Sequence, residues 1–272
     1  MFSKLKTRLR HSRTFNRWWA TRYGNFEDRL LAGVIPRPNY AYCVYHGARL
    51  AKRLGYTRMS AIEFGVAGGN GLLCLEQHAA IVSELTQVEI EVYGFDTGEG
   101  LPSPVDYRDL PYHWKSGFYK MDVTALQSRL QRAKLVLGEV SVTLPSFFET
   151  HRPAPIGAIS FDLDFYSSTK SAMNVLRGGH EFLMPRIFCY FDDTIGTETE
   201  VYNDFTGQRL AINEFNDEHD AMKLGFPYCL LNGRVQDTWR YQIWVAHLFA
   251  HPDYNRFVSG EIQELPVLAP GR

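Results

Sequence analysis

Eleven residues constrain this chain more than any others: Ala61-Ile62-Glu63-Phe64-Gly65-Val66-Ala67-Gly68-Gly69-Asn70-Gly71. A short apolar strand carries an acid near its end, four glycines fall within the last seven positions, and Leu72-Leu73-Cys74-Leu75 opens a helix. Glycine lets a backbone turn sharply and approach a ligand with no side chain between them. The free N–H groups of the following helix then face the same ligand. The unit reads as a strand–loop–helix cradle for a nucleotide, although a glycine-rich turn in some other α/β domain would look similar. A dinucleotide turn wants G-x-G-x-x-G with its acid about 20 residues downstream, and a P-loop ends in Gly-Lys-Ser/Thr. Here the glycines run G-x-x-G-G-x-G, Glu63 comes two positions before them, and Asn70-Gly71-Leu72 lacks the lysine.

A second acid sits at the next strand end. Glu91-Val92-Tyr93-Gly94-Phe95-Asp96 follows a helix-length stretch, Leu72 to Leu85, which makes a βαβ unit. Asp96 is placed to accept hydrogen bonds from both ribose hydroxyls of a nucleoside; Asp-Thr-Gly would also suit a turn. Two further strands each deliver paired carboxylates, Ile156 to Asp164 (Asp162 and Asp164) and Arg186 to Asp193 (Asp192 and Asp193). In a parallel sheet the carboxyl ends of neighbouring strands lie side by side, and ligands bind in the crevice beyond them. Oxygen donors without a nearby Cys or His pattern suit Mg²⁺ or Ca²⁺ sooner than zinc.

In their order, Glu63–Gly71, Tyr93-Gly94-Phe95-Asp96-Thr97-Gly98-Glu99-Gly100-Leu101-Pro102, Asp162-Leu163-Asp164-Phe165-Tyr166-Ser167-Ser168-Thr169 and Phe191-Asp192-Asp193 resemble the macrocin-type O-methyltransferases. Those are metal-dependent class I S-adenosylmethionine enzymes acting on sugar hydroxyls of natural products. The resemblance covers roughly residues 60 to 216. Two departures stand out: Ala67-Gly68-Gly69-Asn70 replaces the family's aromatic–arginine pair, and Leu183-Met184-Pro185-Arg186 replaces its Gly-Gly before the strand.

The resemblance implies an α/β fold, a Rossmann-like doubly wound sheet of seven strands with helices on both faces. Strands are expected near 61–65, 91–96, 134–137, 156–162, 186–191, 228–232 and 241–249, the last two as an antiparallel edge hairpin. It implies S-adenosylmethionine as cofactor, contacted by Glu63, Gly65, Val66, Ala67, Gly69, Asn70, Gly71, Asp96, Gly138, Glu139 and Asp162. Gly138-Glu139 would touch the adenine. Asp162, Asp192 and Asp193 would hold Mg²⁺ or another hard divalent cation, and Asp164 would be a fourth ligand or the general base. His113, in the aromatic stretch Leu110 to Gly117, is the other candidate base or simply a packing residue beside Trp114. Tyr166, Ser167 and Thr169 are expected to shape the loop and cap the next helix, and Glu214 to line the acceptor pocket or face solvent. The acceptor is expected to be a small hydroxylated molecule, a sugar by precedent. A non-methylating enzyme of the cephalosporin-hydroxylase type and a cofactor-binding regulator without turnover are the other readings.

Formal charge over the 272 residues is −1, which gives no whole-surface field for nucleic acid. The four cysteines, Cys43, Cys74, Cys189 and Cys229, have no metal or redox spacing and read as buried free thiols of a cytoplasmic protein. No apolar run is long enough to cross a bilayer and no signal-peptide pattern opens the chain. Residues 1–58 read as a helical appendage, 59–250 as the catalytic domain and 251–272 as a tail. Within the appendage, residues 1–22 are basic with aromatics interleaved. Such a segment could rest on anionic lipid; it reads rather as a solvated helix covering the subunit or a neighbour, and a homodimer is plausible.

Overall fold

Alternating apolar strands and helices build a seven-stranded sheet in the computed structural model, which describes residues 12–232 and 237–260. Helices α1 (Arg13–Tyr23), α2 (Phe26–Leu31) and α3 (Pro38–Leu54) lead into β1 (Arg58–Phe64), α4 (Asn70–Thr86) and β2 (Glu89–Asp96). Next come α5 (Val123–Arg129), β3 (Lys134–Leu137), α6 (Val140–His151), β4 (Ile156–Phe161), α7 (Tyr166–Met173) and β5 (Leu183–Phe191). The chain continues through α8 (Gly207–Glu218), β6 (Met222–Gly225) and β7 (Ile243–Leu248). Strand order is β3-β2-β1-β4-β5-β7-β6. The first five strands pair in parallel and β7 pairs antiparallel with both β5 and β6. Strand order reverses between β1 and β4, so the crevice at their carboxyl ends is the natural ligand site.

Three expectations change here. The edge strand is Met222–Gly225, and Tyr228–Asn232 forms a tight 3₁₀ turn instead. Pro227 explains it: its carbonyl accepts the Leu230 N–H at 3.0 Å, closing a turn before an extended run can start. Ser167 and Thr169 lie inside α7, whose N-cap residue is Phe165, so they do not cap it. Cys229 is exposed, whereas the other three cysteines are buried. No helix among the described residues is long and apolar enough to cross a membrane. Residues 1–11 and 261–272, parts of the expected appendage and tail, lie outside the described residues.

Helix α3 begins with Pro38 at its first turn and ends on Gly55 in the left-handed region (φ 81°). Its inward face, including Tyr40, Ala41, Val44, Ala48 and Ala51, is fully buried in the same core as β1, β4 and β5. The expected boundary at residue 58 therefore follows a helix that belongs to the main core.

Four neighbouring strands carry a phenylalanine at the carboxyl end, the last residue of β1, β4 and β5 and the last but one of β2, and register brings them level. Phe64 sits opposite Phe95 and Phe161, and Phe161 opposite Phe191. Ring centroids lie 4.8, 5.6 and 4.5 Å apart along this row, the last two pairs nearly parallel. All four side chains are buried. Truncating the centre of the row, Phe161→Ala, should destabilise the fold by about 3–5 kcal/mol, measurable as a lowered urea midpoint at unchanged slope.

Candidate functional site

The residues after those phenylalanines form the site. Gly65 turns the chain at φ 87°, and any side chain there would collide with the Asp162 carbonyl, 1.6 Å from an ideal Cβ. Glycine is therefore required where β1 and β4 part. Gly71 fits against Glu63, whose Oε1 would stand 2.0 Å from a Cβ. That carboxylate is buried beneath the loop. Oε1 accepts the Tyr40 hydroxyl at 2.6 Å, while Oε2 is buried with no partner. Burial pushes its pKa up to about 8, against the opposing pull of Tyr40 and Arg37. Tyr40 also reaches Asp162 Oδ2 at 3.4 Å and so ties the first strand end to the fourth.

Asp96 braces the glycine loop. Its Oδ2 accepts the N–H groups of Val66 and Ala67 at 2.8 and 2.9 Å, and its Oδ1 that of Gly98 at 2.7 Å. A carboxylate offers about four acceptor positions. One therefore stays open to a ligand hydroxyl, fewer than the two ribose bonds expected.

A cavity of about 440 Å³ crosses the strand ends, within the usual range of small-ligand pockets. Gly65, Ala67, Asp96, Gly138, Glu139, Asp162 and Asp164 line it, together with Tyr119. The other expected cofactor contacts, Glu63, Val66, Gly69, Asn70 and Gly71, shape the loop and helix start without lining the cavity. Asp192, Asp193 and His113 do not line it either.

Beyond β4 and β5 the carboxylates crowd together. Asp193 is buried, and its two oxygens accept the Tyr202 hydroxyl at 2.8 Å and the Asp164 N–H at 2.9 Å. Gln208, fully buried, accepts the Asp193 N–H at 2.9 Å and donates to the Phe161 carbonyl at 3.2 Å. Asp192 takes a hydrogen bond from Tyr190. Burial, reinforced by neighbouring carboxylates, raises Asp162 and Asp193 well above the usual range. Asp164, in the left-handed region at φ 59°, is raised to about 7 by burial and then by Asp192 and Glu200.

This donor set has the chemistry of a hard-cation site: oxygen ligands only, held where like charges oppose ionisation. As they stand, however, no three acidic, imidazole or thiol side chains among the described residues are grouped closely enough to hold a metal. The expected trio of Asp162, Asp192 and Asp193 is brought to one corner but not closed into a cage.

His113 is held away from the cavity. Its ring packs edge-on against Trp114 at 4.4 Å, and its closest acid is Glu200 at 3.9 Å. Buried Trp114 anchors that stretch against Leu110 and Phe165. Glu214 accepts the Tyr166 hydroxyl at 2.6 Å and the Lys170 ammonium at 3.2 Å, outside the cavity.

Sequence reasoning passed over Tyr40, Tyr119, Tyr202, Gln208 and Asp109. Asp109 is fully buried and accepts the backbone and hydroxyl of Ser167 at 2.8 and 2.9 Å, fastening the loop after β2 to the start of α7. No local pattern marks these residues; the partners of Tyr40 and Asp109 lie 23 and 58 residues away in the chain. Only Gln208 falls in a stretch, Thr206 to Phe215, with a family-like look.

No protein-family model matches the chain, and neither does any curated protein. Among solved structures, the calicheamicin methyltransferase CalS11 superposes with a TM-score of 0.54 at 19% identity, covering 86% of this chain and 90% of that one. The O-methyltransferase NovP superposes with a TM-score of 0.52 at 14% identity, covering 77% of each chain. The chain has the methyltransferase fold. The mixed sheet with its antiparallel edge is the arrangement that the sequence led us to expect.

Glu63 supplies a pH signature. Its folded pKa of about 8 lies above the ordinary 4.5. The stability that its neutral form contributes is complete below the ordinary value and is lost as pH rises through about 8. Asp164 acts in the same direction. Urea unfolding of the ligand-free protein should show stability falling between about pH 5 and pH 8, and Glu63→Gln should make that fall shallower.

Proposed function

We propose that this protein is an S-adenosylmethionine-dependent O-methyltransferase acting on a hydroxyl of a sugar or another small natural-product acceptor. One observation carries the reading. A single cavity runs across the strand ends from Gly138 and Glu139, past Asp96 and the glycine loop, to Asp162 and Asp164. A nucleoside seated on the first group puts whatever it carries at the last. The methyltransferase fold and the specific succession of motifs support S-adenosylmethionine over other nucleotides.

In this reading Gly138 and Glu139 face the adenine, and Asp96 accepts one ribose hydroxyl while its other bonds keep the loop in shape. Tyr40 and Glu63 support the loop from below. At the far end Asp164 takes the acceptor's hydroxyl proton. A base whose pKa lies near 7 is matched to that task at neutral pH. S-adenosylmethionine bound there would supply a methyl group on a sulfonium ready to leave, the carbon–sulfur bonding pair staying on sulfur as the acceptor oxygen takes the methyl. Holding oxygen, methyl and sulfur in line supplies much of the acceleration. Asp162, Asp192 and Asp193 share one corner without forming a closed site as they stand; drawn together they would hold a divalent cation, which would favour the acceptor alkoxide. The free thiols fit a reducing compartment, and we assign the reaction to the cytoplasm.

Calorimetry with S-adenosylmethionine, its demethylated product and NAD⁺, each with and without Mg²⁺, tests the cofactor. Binding of the first two and not of NAD⁺ is expected; no binding of either under any condition would sink the proposal. With a panel of hydroxylated glycosides, Asp164→Asn should slow transfer roughly a hundred- to ten-thousand-fold while leaving cofactor affinity within about threefold. Asp192→Asn combined with Asp193→Asn should abolish any Mg²⁺-dependent part of the turnover and spare cofactor binding.

A further inference from the structure

Helix α1 is turned inside out. At 3.6 residues per turn, Phe15, Trp18, Trp19 and Arg22 share one side of Arg13–Tyr23, away from Ala20, with Tyr23 at the edge of that side. Ala20 is the helix's buried residue and faces the body of the protein. Arg13, close to the inward side, is paired with Asp237. The aromatic side looks out: Trp18 is 56% exposed, Trp19 41% and Tyr23 64%. Rings touch along this face, Phe15 to Trp18 at 5.8 Å and Trp18 to Tyr23 at 5.9 Å, forming one continuous surface. A surface helix ordinarily buries its apolar stripe and shows its charges. An apolar stripe turned to water marks a surface that something else covers.

Charge says what covers it. Seven of the chain's 29 lysines and arginines, and none of its 30 acids, fall within residues 1–22. The remainder then carries 22 cations against 30 acids, a formal charge of −8. A strongly basic, Trp- and Tyr-bearing end on an otherwise acidic protein has the chemistry of an interfacial anchor. Indole and phenol rings settle at the headgroup level, and the cations answer anionic lipid. We propose that the outward face of α1 docks the protein on anionic membrane surfaces. Trp18, Trp19 and Arg22 of that face would meet the headgroups while the acidic body stays in water. Such docking is independent of the reaction proposed above.

Flotation of the full chain with phosphatidylcholine vesicles, with and without about 30% phosphatidylglycerol, tests it. Partitioning should be at least about tenfold stronger onto the anionic vesicles and should weaken severalfold as NaCl is raised to about 0.5 M, where screening is short-ranged. Tryptophan emission should shift to the blue on binding. Trp18→Ser combined with Trp19→Ser should reduce partitioning by about tenfold and remove the shift. Because both side chains point outward, the thermal midpoint of that variant should match the parent's. Lys4→Glu combined with Arg8→Glu should weaken binding to the anionic vesicles alone. Equal binding to both vesicle types, or none, would overturn the proposal. So would a dimer in sedimentation velocity that Trp18→Ser with Trp19→Ser dissociates without any vesicle binding.

Discussion

Four phenylalanine rings in a row hold the functional half of this molecule in place. Phe64, Phe161 and Phe191 each close a strand and Phe95 is the last but one residue of its own; the next residues are Gly65, Asp162, Asp192 and Asp96, all of the site. Ring contacts between neighbouring strand ends add a specific attraction to ordinary apolar burial. Interiors are close-packed, so such a row has little freedom to slide. The polar groups above it inherit that rigidity.

Against this apolar base stands an expensive electrostatic arrangement. Glu63, Asp162, Asp164 and Asp193 are removed from water far enough for burial to dominate their titration. The protein meets part of the cost with hydroxyl and amide donors: Tyr40 for Glu63, Tyr202 and a backbone N–H for Asp193. One oxygen of Glu63 receives nothing. Sites that must bind charge commonly carry strain of this kind in the absence of their ligands.

What could be read from the chain follows from where the information lies. Strand ends, glycine turns and carboxylate pairs are local, so the sheet, the switch point and the cavity's Gly65, Asp96, Gly138, Asp162 and Asp164 were legible. The Tyr228–Asn232 segment was misread because its apolar content outweighed the proline before it. Tyr40, Tyr202 and Asp109 act on groups that register brings near, and nothing in their own neighbourhoods announces this. His113 looked reactive by type; its ring packs edge-on against Trp114 and does not line the cavity. The N-terminal helix shows the same limit. Its periodicity was visible, but which side would face the body depended on the ion pair with Asp237 and the burial of Ala20.

The sheet also confines its irregularity to one end. The pairings of β4 with β1 and with β5 both shift register near Ile156 and Gly157, at the ends of those strands remote from the site. Past that point the pairs run level up to the phenylalanines. The smallest slip that keeps a side chain on its own face is two residues, a displacement of about 6.6 Å. Such a slip above the row would part the glycine loop after β1 from the carboxylates after β4 and β5 by that distance. The irregularity of β4 is therefore absorbed at its lower rim, while the upper rim keeps the spacing of the strand ends that carry Gly65, Asp96, Asp162 and Asp192.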